Sequence, residues 1–470
     1  MTLFTLRDAA LEIPGATVSG DENIAFDRVS TDSRTAGPGD LFIAIKGDRF
    51  DAHNFLPQVA QRGATAVLAS RLPDDFATPA IKVKDTRIAL GALAHGWRKR
   101  FAIPLIAVTG SNGKTTVKEM ISSIFAAAVG ESARLATAGN FNNDIGLPLT
   151  LFRLNESHKL AVIELGMNHP GETETLGKIA APTVAVVNNA QREHQEFMAT
   201  VEAVALEHAS VIHALASNGT AVFPADDKYA SIWRVAATGN PILDFALHTD
   251  ASQPPAAVTG KLVGATLHIT TPEGATEVAL QVLGDHNARN ALAATAAALA
   301  ANVSLDAIKR GLEAFEPVKG RLQVKRAAVR PIEGATVIDD TYNSNPDSMR
   351  AAIDVLASQA SPRVLVMGDM GEVGDQGPAF HREVGAYAAQ QGIDTLFALG
   401  DASIDAAKSF GPAGQHFTDI SSLIAALTGA GFGPGATFLV KGSRFMQMER
   451  VVDAVTSPHQ PAAGVTPAAH

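Results

Sequence analysis

The sequence predicts an α/β chain of three domains, in which a central phosphate-loop domain on a parallel sheet stands between an N-terminal α/β domain and a C-terminal Rossmann-like α/β domain. Three observations predict it. The chain has 470 residues, and roughly 150 residues is the usual allotment for one domain with its own core. Short β-branched runs recur between Ala-rich stretches of helical pattern, the rhythm of strands wound with helices. A glycine-rich turn, Gly110 to Thr116, stands between one such run and a helical stretch.

Composition removes several function classes. With 46% hydrophobic residues the chain can bury sizeable cores, so it is globular and not a disordered scaffold. It has no cysteine, which excludes disulfides, a thiolate nucleophile and thiolate metal ligation; any metal must be held by oxygen or imidazole, and a hard cation such as Mg²⁺ suits that donor set. The formal charge of −10, with no Lys/Arg-rich block, argues against nucleic acid as a partner. Arg7 and Asp8 interrupt the region where an export signal needs apolar residues, and no later run approaches the roughly 18 apolar residues of a membrane span. A cytoplasmic location and no membrane insertion are expected.

In chain order, residues 1–84 mix strand-like runs (Leu41 to Ile45, Ala66 to Leu68) with Gly- and Asp-rich turns, as a small α/β domain does. Residues 85–315 form the expected central domain. Asp85 to Arg100 reads as a helix leading into the run from Ile103 to Val108, and further runs follow at 160–164, 183–188 and 220–223. Polar residues cluster just past these runs, where open α/β sheets bind ligands. Residues 246–282 alternate short runs with turn residues and predict a β-meander. A second α/β series, with strand-like runs beginning at Thr336, Val364, Thr395 and Thr437, marks the third domain, 316–456. The tail, 457–470, has little to bury and is expected to be disordered.

The sharpest signal is Gly110-Ser111-Asn112-Gly113-Lys114-Thr115-Thr116. Glycines let backbone N–H groups face phosphate oxygens, and a following helix adds positive potential at its N-terminus. Lys114 then bridges terminal phosphates and Thr115 ligates Mg²⁺. Val108 stands where the longer form of this loop has its first glycine, so this is a shortened variant. A solvated lysine on a plain turn is the bland alternative, and the strand–loop–helix context weighs against it.

Residues 109–116 (TGSNGKTT) resemble the ATP loop of the Mur ligase family, which includes folylpolyglutamate synthases. Further blocks match in the family's order: Glu164-Leu165-Gly166-Met167-Asn168, His194 with Glu196, Gly284 through Asn290, Gly320-Arg321, and Lys441-Gly442-Ser443-Arg444. The run from Asp339 to Met349 (DDTYNSNPDSM), with Thr31-Asp32-Ser33-Arg34 and residues 139–148 (GNFNNDIGLP), resembles one branch, whose members add a dipeptide to a nucleotide-linked peptide. The resemblance spans about 30 to 455. It implies an ATP-dependent ligase of peptidoglycan precursor synthesis acting through an acyl phosphate, with ATP and Mg²⁺ as cofactors, UDP-N-acetylmuramoyl-tripeptide and D-alanyl-D-alanine as partners, and a monomeric state.

The resemblance also implies roles for single residues. Glu164 and Thr115 would hold Mg²⁺ on the phosphates, and His194 would meet a second Mg²⁺ between the γ-phosphate and the acceptor carboxylate, although imidazole is an unusual Mg²⁺ ligand. Asn287 and Asn290 would contact adenine; read without the family they are helix N-cap residues. Arg321 and Asp340 would approach the phosphates and ribose. Lys441 and Arg444, past the last strand, would face an anion, or else form an ordinary basic turn. Asn343 and Asn345 would help receive the dipeptide, or else serve turn chemistry. Thr31, Ser33, Arg34 and Lys46 resemble the family's uridine-diphosphate site, and Ala52 stands where the family usually has glycine.

Position 208 also departs from the pattern. Where the family has a lysine that is carbamylated to give a carboxylate near the metal, this chain has His208, preceded by Glu207. Neither side chain forms a carbamate, so a local substitute by His208 or Glu207 is the expectation, beside the plain alternative that 208 is a structural helix position. Two rival functions remain: a sister ligase adding one amino acid, or glutamate to a folate; and a nucleotide-dependent switch that uses the phosphate loop without forming amides.

Overall fold

The computed structural model describes residues 1–47, 49–216, 218–248 and 255–457. From residue 458 on, the predicted disordered tail lies outside the described residues.

Five strands form the central sheet, all parallel, in the spatial order Thr220–Val222, Val184–Val187, Leu105–Thr109, Leu160–Glu164, Arg134–Ala136. Strand alternation sorts their side chains. Leu105, Ala107, Ala161, Ile163, Ala185 and Val187 pack into the layer that also receives the N-terminal domain. Ile106, Val108, Leu160, Val162, Val184 and Val186 pack on the other side, against the helices Lys114–Val129 and Asp285–Ala300. Burial on both faces explains why the strands other than the edge strand Arg134–Ala136 read as continuous apolar runs, each buried Val, Leu or Ile contributing about 1.5–3 kcal/mol. The Leu105–Thr109 strand leads into the phosphate loop and is central; the chain crosses to one side of it and then the other, which opens a crevice at the carboxyl ends.

The N-terminal sheet runs Thr17–Ser19, Ala80–Lys82, Ala66–Ala69, Asp40–Ile43, Arg28–Ser30. The Thr86–Arg98 helix, capped by Asp85 through the N–H groups of Arg87 and Ile88, joins this layer to the central one. Its Trp97 packs edge-on to Phe4 at 5.6 Å and donates from Nε1 to the Leu154 carbonyl. Within the predicted meander, Val258–Val263, Thr266–Thr271 and Gly274–Ala279 are antiparallel neighbours, and Phe245–Leu247 joins the edge in parallel.

The third sheet has six strands: Gln323–Arg326, Thr336–Asp340, Thr437–Lys441, Arg363–Gly368, Thr395–Leu399 and Gly414–Phe417. All pairs are parallel except the first. Ile338, Leu365, Met367 and Leu439 fill one face and Val337, Val364, Val366, Phe438 and Val440 the other.

Candidate active site

The carboxyl ends of the central strands and the facing edge of the third sheet enclose a cleft of about 1820 Å³. The phosphate loop forms its floor. Gly110 has φ +135° and an added Cβ would sit 2.9 Å from Asn188 Cβ; Gly113 has φ +80° and a Cβ there would meet Asn290 Oδ1 at 2.5 Å. Only glycine suits both positions. Gly113 opens the Lys114–Val129 helix, so that helix's free N–H groups face the cleft. The loop is backed by the segment after the Val184–Val187 strand: Asn112 N–H donates to Asn189 Oδ1 at 2.9 Å, Gln191 N–H to Ser111 Oγ at 2.9 Å, and Asn188 Nδ2 to the Asn112 carbonyl at 2.8 Å. Lys114 Nζ donates to the Gly110 and Ser111 carbonyls and to Glu193 Oε2, the last at 3.2 Å. Thr116 is buried beside Thr115 at the first turn.

Glu164 ends its strand and is 3% exposed. Asn142 Nδ2 donates to its Oε1 at 2.8 Å, while Oε2 is buried with no hydrogen bond. A buried carboxylate oxygen left bare is costly unless a cation meets it. Thr115 and Glu164 thus offer the oxygen donors a hard cation takes, and among the described residues no group of three or more His, Asp or Glu side chains encloses a metal by itself. That combination suits Mg²⁺, which is held by one or two protein oxygens together with substrate phosphates.

His194 adopts φ +46°, the left-handed region that non-glycine residues rarely occupy. Its Nδ1 lies 2.9 Å from Glu372 Oε2 in the third domain, off the alignment a hydrogen bond needs, and its Nε2 lies 3.9 Å from Glu193 Oε2. Sequence reasoning singled out Glu196 as the neighbour of His194, yet Glu196 is exposed and the buried carboxylate is Glu193, at 5%. Burial alone would raise the Glu193 carboxyl; Lys114, His208 and His194 outweigh it and hold the group well below the ordinary carboxylate range.

The expectation for Glu207 is corrected. Both its oxygens accept from the start of the Glu172–Ala180 helix, Oε2 from Gly171 N–H and Oε1 from Thr173 N–H at 2.9 Å each, so it is a helix-capping carboxylate. His208 is fully buried between Thr109 Oγ1, at 3.0 Å from Nδ1, and Glu193 Oε1, at 2.9 Å from Nε2.

The third domain closes the cleft. Arg321 donates to Thr115 Oγ1 and stacks over Tyr342 at 4.1 Å. Asp340 accepts from buried Lys441 at 2.6 Å, and Lys441 also donates to the Asn343 carbonyl at 2.9 Å, so this lysine is neutralised within its own domain. Arg444 is largely exposed and pairs with Glu449. Asn345 caps the Pro346–Ala357 helix in a capping box with Ser348 and also donates from Nδ2 to Asn112 Oδ1 at 2.9 Å, serving turn and interdomain contact at once. Asn287 and Asn290 are not N-caps; Gly284 has that position. Asn287 donates to the Leu283 carbonyl, and Asn290 Oδ1 accepts from Asn188, bracing the phosphate loop. Sequence reasoning did not find Arg192, which donates to Asp347 and Glu383 across the domain boundary.

The expected ATP, metal and dipeptide residues of the central and third domains line this cleft except Gly110, while Glu196, Glu207 and His208, and Thr31, Ser33, Arg34 and Lys46 of the N-terminal domain, do not. In the N-terminal domain Arg34 pairs with Asp32 at 2.8 Å, Arg62 donates to the Ser33 carbonyl, and the Lys46 backbone forms an isolated antiparallel bridge with that of Asp51. No helix among the described residues is long and apolar enough to cross a membrane.

Three family models match the chain: "Mur ligase family, catalytic domain" over residues 25–98, "Mur ligase middle domain" over 108–298 and "Mur ligase, glutamate ligase domain" over 320–444. The UDP-N-acetylmuramoyl-tripeptide--D-alanyl-D-alanine ligase of Haemophilus influenzae is 39% identical over 447 residues, covering 94% of this chain and 96% of the relative. The Escherichia coli enzyme of the same name is 39% identical over 443 residues, covering 92% and 94%. The crystal structure of MurF from Acinetobacter baumannii superposes with a TM-score of 0.87 at 34% identity, covering 97% of this chain and 99% of that one.

Proposed function

The chain belongs to the Mur ligase family, and from that premise we propose how its cleft joins D-alanyl-D-alanine to UDP-N-acetylmuramoyl-tripeptide. It is an ATP-dependent ligase that forms an amide bond, and its product, UDP-N-acetylmuramoyl-pentapeptide, is a peptidoglycan precursor. The observation that carries the reading is one cleft holding both a phosphate loop with a lysine at its mouth and an arginine delivered from a second sheet.

A carboxylate is a poor electrophile. Its oxygen attacks the γ-phosphorus of ATP, ADP leaves, and the acyl phosphate then accepts the amine of D-alanyl-D-alanine; phosphate departs with one oxygen of the original carboxylate. The chain's part is positioning and charge neutralisation. The loop N–H groups from Gly113 to Thr116 and the Lys114 cation receive the β- and γ-phosphates, while the Ser111 and Asn112 N–H groups are held by Asn189. Thr115 and Glu164 would hold Mg²⁺, with His194 facing the γ-phosphate end; a bound cation would neutralise charge on the phosphate oxygens. Arg321 adds a cation from the third sheet, and Asp340 receives the ribose. Asn287 and Asn290 frame the adenine end. Asn343, Asn345, Lys441 and Arg444 shape the dipeptide side. Closure of the third domain keeps water from the acyl phosphate.

Within this reading residues 1–84 bind the UDP moiety through Thr31, Ser33, Arg34 and Lys46, residues 85–315 bind ATP, and residues 316–456 bring the dipeptide. The protein acts in the cytoplasm as a monomer. The mechanism is tested with tripeptide substrate labelled with ¹⁸O in its terminal carboxylate: one labelled oxygen in the released phosphate supports the acyl phosphate, and unlabelled phosphate alongside pentapeptide rejects it.

A further inference from the structure

Glu193 is a buried carboxylate that the mechanism above does not use, and its two oxygens are in different situations. Oε1 faces His208 Nε2 at 2.9 Å. A carboxylate only accepts, so Nε2 carries the proton; in the neutral ring Nδ1 then accepts from the Thr109 hydroxyl, 3.0 Å away at the end of the central strand. His208 is 0% exposed, and this chain of two hydrogen bonds fixes its ring and through it the carboxylate. Oε2 points the other way, into the cleft, 3.2 Å from Lys114 Nζ and 3.9 Å from His194 Nε2. In an extended strand neighbouring side chains diverge; the left-handed turn at His194 lets residues 193 and 194 aim at one region.

We propose that Glu193 is a direct oxygen ligand for the divalent cation at the His194 side of the cleft, and that His208 is the positioning residue that holds it there. The inference rests on the ligase reading and deepens it. An imidazole alone is a poor partner for a hard cation, and Mg²⁺ sites are completed by one or two carboxylates plus phosphate oxygens. Glu193 is a buried carboxylate within reach of both His194 and Lys114, the lysine that receives the terminal phosphate in that reading, while the half-exposed Glu372 approaches His194 from the third domain. A carboxylate that ligates a metal is itself held by a hydrogen bond from the layer behind it, and His208 supplies that bond to Glu193. His208 occupies a position where the sequence departs from the pattern it resembles, so the departure and the buried carboxylate form a single device: the anionic oxygen is encoded in the chain and requires no modification of residue 208.

The test measures cation binding apart from turnover. Mn²⁺ is titrated by electron paramagnetic resonance into the full-length protein holding a non-hydrolysable ATP analogue and UDP-N-acetylmuramoyl-tripeptide. The native protein binds two Mn²⁺. Glu193→Gln weakens the second by more than about tenfold and leaves affinity for the analogue without metal within about threefold; His208→Leu weakens it by about 10–100-fold, while His208→Gln, whose amide still donates to Glu193, restores most of it. If Glu193→Gln loses its cooperative melting transition, Glu193→Asp replaces it, with a weakened second site expected. Unchanged Mn²⁺ stoichiometry and affinity in the folded Glu193 variant overturns the proposal and leaves Glu193 as a counter-ion for Lys114. Equal loss in His208→Leu and His208→Gln overturns the positioning role. Failure of the ligase reading is distinct, because the native protein would then make no pentapeptide.

Discussion

Arg321 donates from Nη2 to Thr115 Oγ1 across 2.8 Å, joining the third domain to the first turn of the phosphate-loop helix. The contact places a fixed positive charge beside the threonine proposed to receive Mg²⁺, so in the proposed mechanism domain docking and phosphate neutralisation share one residue. Arg321→Ala is expected to lower kcat for ADP release about 10–100-fold with a smaller change in ATP KM, because misplacement by about 1 Å has consequences of that size. Steady-state kinetics checks it; an unchanged kcat removes Arg321 from the site.

Arg192 docks the same two domains from the other side. Its guanidinium meets Asp347 at 2.6 Å and Glu383 at 2.7 Å with about a fifth of its surface exposed. Arg192→Ala is expected to enlarge the radius of gyration in small-angle scattering and to slow ADP release at least about tenfold. The Glu383 carboxyl is held below its ordinary 4.5, chiefly by its hydrogen bond from Arg192. A depressed folded value contributes stability that is complete above the unfolded pKa and disappears as pH falls through the folded one. Docking should therefore be constant from about pH 8 down to about pH 5.5 and loosen only in stronger acid.

Gly113→Ala tests the loop. The residue has φ +80° and a new Cβ would lie 2.5 Å from Asn290 Oδ1 and 2.7 Å from Asn188 Nδ2. A destabilisation of about 1–3 kcal/mol is expected from the backbone alone, together with loss of nucleotide affinity, read by thermal melting with and without an ATP analogue. Gly130, at φ +87° with nothing within 4 Å, is the control: Gly130→Ala carries the backbone strain and retains nucleotide binding.

Glu164→Gln keeps the acceptor for Asn142 and removes the charge. Turnover at saturating ATP and Mg²⁺ should fall about a hundredfold or more, while binding of ATP analogue without metal should be unchanged. Equal affinity for Mn²⁺ in the variant and the native protein would contradict the role given to the bare Oε2.

The parts of the fold legible in the sequence were those whose physics is local. The strands Leu105–Thr109, Leu160–Glu164 and Val184–Val187 are buried on both faces and so are written as apolar runs, whereas the partly buried edge strand Arg134–Ala136 is not. The phosphate loop is legible because its glycines are demanded by backbone geometry. Thr17–Ser19 and Gly414–Phe417 are edge strands, short and partly exposed, and in Gln323–Arg326 only Val324 is apolar, so none carries such a run. Glu193 was hidden in a polar stretch, residues 191–196 (QREHQE), in which burial is decided by partners 79 and 15 residues away, Lys114 and His208. Asn287 and Asn290 misled for the opposite reason: their residue type suits a helix cap, while Gly284 holds that position and tertiary contacts with the loop claim the asparagines.

The most direct test of the central claim is ADP release with ATP, Mg²⁺, UDP-N-acetylmuramoyl-tripeptide and D-alanyl-D-alanine, omitting each in turn. The account predicts sustained release only when all four are present, with pentapeptide formed in equal amount. Sustained release that is indifferent to the dipeptide or to the sugar nucleotide would contradict it.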